Sequence, residues 1–125
     1  PNAHVLLLGG EYQNESQVLV GPMVKKCASD FRVDKIFVSA DGFTESGFMS
    51  DNLMRAETIH ALAEQATQVI VLTESSTFRE TGVVVAFPLA EVQTLYTDEN
   101  IDDRFIQLLH ENDIHVYTVP LEDET

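Results

Sequence analysis

Three short clusters in the sequence have the residue types that hold small ligands: Gly9-Gly10, Asp41-Gly42 and Ser75-Ser76-Thr77. Adjacent glycines permit a close backbone approach to a ligand, and equally a tight turn. The Asp41 carboxylate can accept from a sugar hydroxyl, or Asp-Gly can simply turn the chain. Ser75, Ser76 and Thr77 bring hydroxyls and consecutive backbone amides, which suit an oxyanion or phosphate nest as well as a plain polar loop. Arg55 lies near the start of the helix expected after Asp41-Gly42, where it is either an anion clamp or a solvated helix cation.

Several kinds of chemistry are missing from the pattern. Gly9-Gly10 lacks the further glycines, or the Gly-Lys-Ser, of nucleotide-binding fingerprints, and neither serine sits in a Gly-x-Ser-x-Gly elbow. His4, His60, His110 and His115 follow no metal-ligand spacing. No cofactor and no metal is expected. Cys27 is the single cysteine, so it reads as a small, partly buried thiol in a reducing compartment and not as a nucleophile.

The elements that must carry these clusters alternate. His4-Val5-Leu6-Leu7-Leu8, closed by Gly9-Gly10, predicts a fully buried strand. Lys35 to Ala40 and Gln68 to Thr73 predict two more, and Gln93 to Thr97 and His115 to Val119 another pair. Helices are expected from Gly21-Pro22 to about Asp30, from Asn52 to Gln65, and from Ile101 to Glu111, the last capped by Asn100 with Asn112 at its left-handed exit. Val83 to Phe87 fits a short strand or an extended link. Strand-helix alternation predicts an α/β fold with a mostly parallel sheet flanked by helices on both faces, Rossmann-like. In such sheets ligands bind beyond the carboxyl ends of the strands, where the three clusters would converge on one crevice.

Composition limits the partners. At 125 residues and 44% apolar content the chain suits one domain. No apolar run is long enough for a membrane span and no signal peptide opens it, so a cytoplasmic protein is expected. Seven Lys and Arg against 21 Asp and Glu give a net charge of −14, which repels nucleic-acid phosphates. The acids, including a terminal Glu122-Asp123-Glu124 cluster, read as solvated surface. Pro1 stands where a Met would begin a complete chain, so a piece of a longer protein is expected.

An ordered string of motifs then carries a resemblance. Leu7-Leu8-Gly9-Gly10, Val20-Gly21-Pro22-Met23, Asp34-Lys35-Ile36-Phe37 leading to Ala40-Asp41-Gly42, and Gly47-Phe48 come first. Val69-Ile70-Val71-Leu72, Ser75-Ser76-Thr77-Phe78, Pro88-Leu89 and Leu95-Tyr96-Thr97-Asp98 follow. Together they resemble the carboxyl-terminal sensor domain of DeoR-type transcriptional regulators. The resemblance implies a fold similar to ribose-5-phosphate isomerase and CoA transferases, a phosphorylated sugar or polyol as effector, and DNA binding by an amino-terminal winged helix-turn-helix. That helix-turn-helix, and a first sensor segment with an Asp-x-Gly-Ser/Thr-Thr turn, have no counterpart here. The family's Ser-Ser-Lys-Phe appears as Ser75-Ser76-Thr77-Phe78, and positions usually acidic after the Gly47 turn are Leu53, Met54 and Arg55.

Residues 1–125 are therefore expected to form an effector-sensing domain fragment that is not an enzyme, touches DNA only through the absent domain, avoids membranes and self-associates. The expected ligand contacts are Gly9, Gly10, Tyr12, Asp41, Gly42, Arg55, Ser75, Ser76 and Thr77. The alternative is a sugar-phosphate isomerase-like enzyme with Asp41 or Glu57 as base, and Thr77 in place of lysine and the lack of a paired acid and base count against it.

Overall fold

A computed structural model describes residues 2–122. Asp123 and Glu124 of the expected acidic cluster lie outside the described residues. The elements run β1 (Glu11–Gln13), β2 (Val18–Val20), α1 (Pro22–Ala28), β3 (Val33–Val38), β4 (Gly42–Thr44), β5 (Gly47–Ser50), α2 (Leu53–Ala63), β6 (Ala66–Leu72), β7 (Val84–Pro88), β8 (Thr94–Asp98), α3 (Asp103–Glu111) and β9 (His115–Val119). Single 3-10 turns at Ser75–Thr77 and Leu89–Glu91 follow β6 and β7.

The fold is α/β, with a four-stranded sheet in the order β3-β6-β8-β9 whose neighbours all pair in parallel. β1 and β2 form an antiparallel hairpin, and β4, β5 and β7 an antiparallel three-stranded sheet that the sequence reading did not foresee. Val83 to Phe87 resolves as the strand β7, paired with β5.

Local chemistry sets the helix ends. Pro22 fills the first position of α1, where its missing N–H is not needed. Asn52 caps α2 by accepting from the Arg55 amide. In α3 the cap is Asp102, which accepts from the Arg104 amide, and not the expected Asn100. The left-handed residue at its exit is Asp113, with φ 60°, one position after the expected Asn112, whose side chain instead donates to the Leu108 carbonyl.

Two expectations are corrected. Val5, Leu6 and Leu7 are exposed and residues 2–10 form no strand, so His4 to Leu8 is not a buried strand. An apolar run becomes a strand only where a neighbour offers a ladder, and here none pairs with it. Nor are both faces of the parallel sheet covered. The core lies on one face, where Val71 and Leu95 meet Phe43, Phe48, Phe87 and Leu109. α2 and α3 pack on that same side through Ala56 and Leu109. Within the core, the rings of Phe43, Phe48, Phe78 and Phe105 meet edge-on or tilted at 5.1–6.1 Å between centroids.

The packing separates residues that look alike in composition. Phe48 is 0% exposed and Leu7 88%. Phe48→Ala is expected to lower unfolding stability by about 3–5 kcal/mol in urea titration, while Leu7→Ala changes it by less than about 0.5 kcal/mol. A cost at Leu7 matching that at Phe48 would contradict this placement of the core.

Candidate functional site

Where β3 ends, the chain places Asp41 beside the amino end of α2. The Asp41 amide donates to the Met49 carbonyl at 2.9 Å, which fixes the loop against β5. Its Oδ2 accepts from the Asp51 amide at 2.9 Å, from Ser50 Oγ at 3.4 Å and from the Arg55 guanidinium in a direct ion pair. All hydrogen bonds to this carboxylate among the described residues fall on Oδ2, leaving Oδ1 for a ligand. Asn52 Oδ1 accepts from the Arg55 amide at 2.8 Å and from Gln13 Nε2 at 3.3 Å, so the β1–β2 hairpin tip is tied to α2.

These contacts frame a polar crevice of about 620 Å³, walled by Gln13, Asn14, Glu15 and Ser16 of the hairpin tip and by Asp41, Asp51, Asn52 and Arg55. Ser16, Asp41 and Arg55 also border an inner, more apolar cavity of about 290 Å³ over Val18, Val20, Ile59 and Leu62. The outer crevice holds three carboxylates and one guanidinium, and that guanidinium is taken by Asp41. Such a lining suits hydroxyl and amide groups better than a free anion.

Ser75 and Ser76 line a different crevice, of about 520 Å³, beyond the carboxyl ends of β6, β8 and β9, while Thr77 closes the same 3-10 turn outside that lining. The first amide of this loop holds an internal anion. Asp98 accepts from the Ser75 amide at 2.8 Å through Oδ2 and from the Asn100 amide at 3.0 Å through Oδ1. The Ser75 amide, aided by its hydroxyl and by the Asn100 amide, holds the Asp98 carboxyl below its ordinary value of 3.8, against an opposing push from burial. Thr73 and Thr77 bond through their hydroxyls at 2.6 Å.

Of the expected contacts, the structure brings Asp41 and Arg55 together and sets Ser75, Ser76 and Thr77 apart from them. Gly42 is buried, and a Cβ on it would meet the Thr81 carbonyl oxygen at 2.0 Å, so it makes room for backbone. Gly10 packs likewise, its absent Cβ falling 2.3 Å from Val24 Cγ2. Gly9 is exposed with open space around it. Tyr12 is exposed on β1 opposite Leu19. None of Gly9, Gly10 and Tyr12 lines either crevice. Gln13, Ser16, Asp51 and Asn52 were not among the expected contacts, although the polar run Gln13 to Gln17 between two apolar stretches marks a hairpin tip.

A parallel α/β sheet with a polar crevice at a strand's carboxyl end is the build of a small-molecule-binding domain. The chain belongs to the family of the DeoR C terminal sensor domain, whose model matches residues 1–99. It is similar to the HTH-type transcriptional regulator IolR of Bacillus subtilis, 23% identical over 117 residues, 93% of this chain and 47% of that protein. It is 28% identical over 121 residues to the uncharacterized HTH-type transcriptional regulator YulB of the same organism, covering 96% of this chain and 47% of YulB. To the L-fucose operon activator of Haemophilus influenzae it is 20% identical over 114 residues, 90% of this chain and 46% of that protein. The chain thus spans about half the length of the curated relatives it matches. No helix of the described residues is long and apolar enough to cross a membrane.

A depressed carboxyl adds stability above its unfolded value and loses it as pH falls through the folded one. Asp98→Asn is therefore expected to lower the thermal midpoint at pH 7, with the gap to the parent protein narrowing as pH falls below about 4. A gap that stays constant down to pH 2–3 would show that the carboxylate charge is not what holds the Ser75 loop.

Proposed function

We propose that this chain is the effector-sensing part of a DeoR-type transcriptional regulator and binds a phosphorylated sugar or polyol with its hydroxyls in the Asp41 crevice. The observation that carries this reading is the posture of Asp41: one carboxylate oxygen is saturated by Arg55 and backbone, and the other is free in a polar crevice. Gln13, Ser16 and Asn52 stand ready for further hydroxyls. One relative is named for an L-fucose operon, which fits a carbohydrate-derived ligand. The phosphate finds its donors elsewhere, because Arg55 is held by Asp41, the Ser75 amide by Asp98 and the Thr77 amide by the Glu74 carbonyl. Groups outside these residues supply them in this reading.

A binding role is favoured over isomerase chemistry, since the Arg55 guanidinium and the Asp51 amide hold Asp41 as a fixed acceptor, and Glu57, the other expected base, does not line the crevice. The protein works in the cytoplasm as a homo-oligomer. Effector binding biases two arrangements of that oligomer, and a helix-turn-helix outside these residues reads the DNA.

Calorimetry with a panel of sugar and polyol phosphates, on the product of the complete reading frame, tests the site. Asp41→Asn is expected to weaken binding at least about tenfold, roughly 1.4 kcal/mol. Unchanged affinity would remove Asp41 from the site, and indifference to every phosphorylated sugar would remove the effector class. This chain alone is expected to give no defined complex with duplex DNA in a gel shift at micromolar protein, because its charge opposes phosphates.

A further inference from the structure

Behind the Asp41 crevice the inner cavity of about 290 Å³ continues into the molecule, and the two spaces share Ser16, Asp41 and Arg55 at their junction. Val18 and Val20 of the β1–β2 hairpin, Ile59 and Leu62 of α2, Ala86 of β7 and Ala40 just past β3 supply carbon to its wall. Packed interiors hold few voids larger than a water molecule, so a space of this size behind a ligand crevice calls for a filler.

Water fills it poorly. An ordered water needs two to four polar partners, and the hydroxyls of this wall are already bonded. Thr58 Oγ1 accepts from the Gly21 amide at 2.9 Å and donates to the Met54 carbonyl at 2.8 Å. Ser50 Oγ accepts from the Asn52 amide and lies within donating distance of the Asn52 carbonyl, both at 3.2 Å. Ser16 Oγ donates to Gln13 Oε1 at 3.1 Å, and Ser39 is exposed to bulk water. The Arg55 guanidinium is turned to Asp41. A ligand hydroxyl pushed to this depth would lose its water without gaining a partner, whereas a hydrocarbon group loses nothing.

We propose that the effector carries an apolar substituent, a methyl or a short alkyl chain, which fills the inner cavity while neighbouring hydroxyls bond to Asp41 at its mouth. Val18, Ile59 and Leu62 are then the residues that determine specificity, and the cavity selects a deoxygenated sugar phosphate over its fully hydroxylated parent. Small-molecule sites are commonly built this way, apolar at depth with a few polar groups to fix orientation. The mouth of the site rests on the Asp41 reading above, and its depth on the hydrocarbon wall.

The test is calorimetry on the product of the complete reading frame with 6-deoxyhexose 1-phosphates and the matching hexose 1-phosphates, which differ only in CH3 against CH2OH. The deoxy member is expected to bind at least about tenfold tighter, since its methyl gains apolar burial and strands no hydroxyl. Val18→Phe and Ile59→Phe fill the cavity from the hairpin and from α2 and leave Asp41 and Arg55 in place. Each is expected to cut the preference to less than about threefold. Xenon reads the cavity with no sugar and no variant, and the methyl NMR signals of Val18, Ile59 and Leu62 are expected to shift under xenon pressure. Equal affinity within the pairs, with Asp41→Asn weakening both members, would overturn the proposal and keep Asp41 as the hydroxyl anchor. A deoxy preference that survives both phenylalanines would place the methyl elsewhere and overturn it too. A preference that the phenylalanines abolish and Asp41→Asn leaves untouched would uphold the cavity and sink the Asp41 reading. Methyl signals unmoved by xenon would overturn the proposal whatever the sugar phosphates do.

Discussion

Parallel strands cannot be joined by tight turns, so each neighbour in the β3-β6-β8-β9 sheet requires a crossover, and the handedness of L-residues sends all of these crossovers to the same side. The rest of the structure follows from that crowding. The β3-to-β6 crossover contains β4, β5 and α2, and the β6-to-β8 crossover contains β7. Because both lie on one face, β7 can reach β5 and close the three-stranded antiparallel sheet. Phe48 and Phe87, opposite each other in that pairing, are thereby pressed toward Val71 and Leu95, and both rings are fully buried. The closeness is felt at Gly47, where φ is +144° and a Cβ would fall 2.2 Å from the Phe87 carbonyl oxygen. No other residue type fits there without moving β7.

Two carboxylates fix the loops at the ends of these strands. Asp41 takes the Asp51 amide and the Arg55 side chain, joining the end of β3 to the start of α2. Asp98 takes the Ser75 and Asn100 amides, joining the loops after β6 and β8. In a chain of net charge −14 these acids are internal caps, whereas most of the others face water. The arrangement has a consequence for recognition. The Asp98 carboxylate on the Ser75 amide sets a negative charge where a ligand anion would sit, so the same interaction that orders the Ser75 loop makes it a poor phosphate site. The Asp41 crevice differs because only one carboxylate oxygen is used, and a half-used carboxylate is an acceptor for hydroxyls.

What the sequence disclosed divides by the range of the interaction. Ile36-Phe37-Val38 and Val69-Ile70-Val71 announce strands of the parallel sheet, and a cap for α2 is readable among Ser50, Asp51 and Asn52 because capping is settled within a few residues, the structure using Asn52. Gly42-Phe43-Thr44 and Gly47-Phe48-Met49-Ser50 were not legible as strands, since they are short and β5 depends on β7, far along the chain. In the candidate site, Asp41 and Arg55 were both singled out, but nothing local shows that they pair with each other, and the sequence placed Ser75 beside them when it lies in another crevice. The run His4 to Leu8 makes the physical point most directly. Its residues are as apolar as those of β6, yet β6 is flanked by β3 and β8 while residues 4–8 border an empty apolar gap. Hydrophobicity states that a segment gains by burial, and only a neighbouring ladder of free amides and carbonyls determines where that burial takes place.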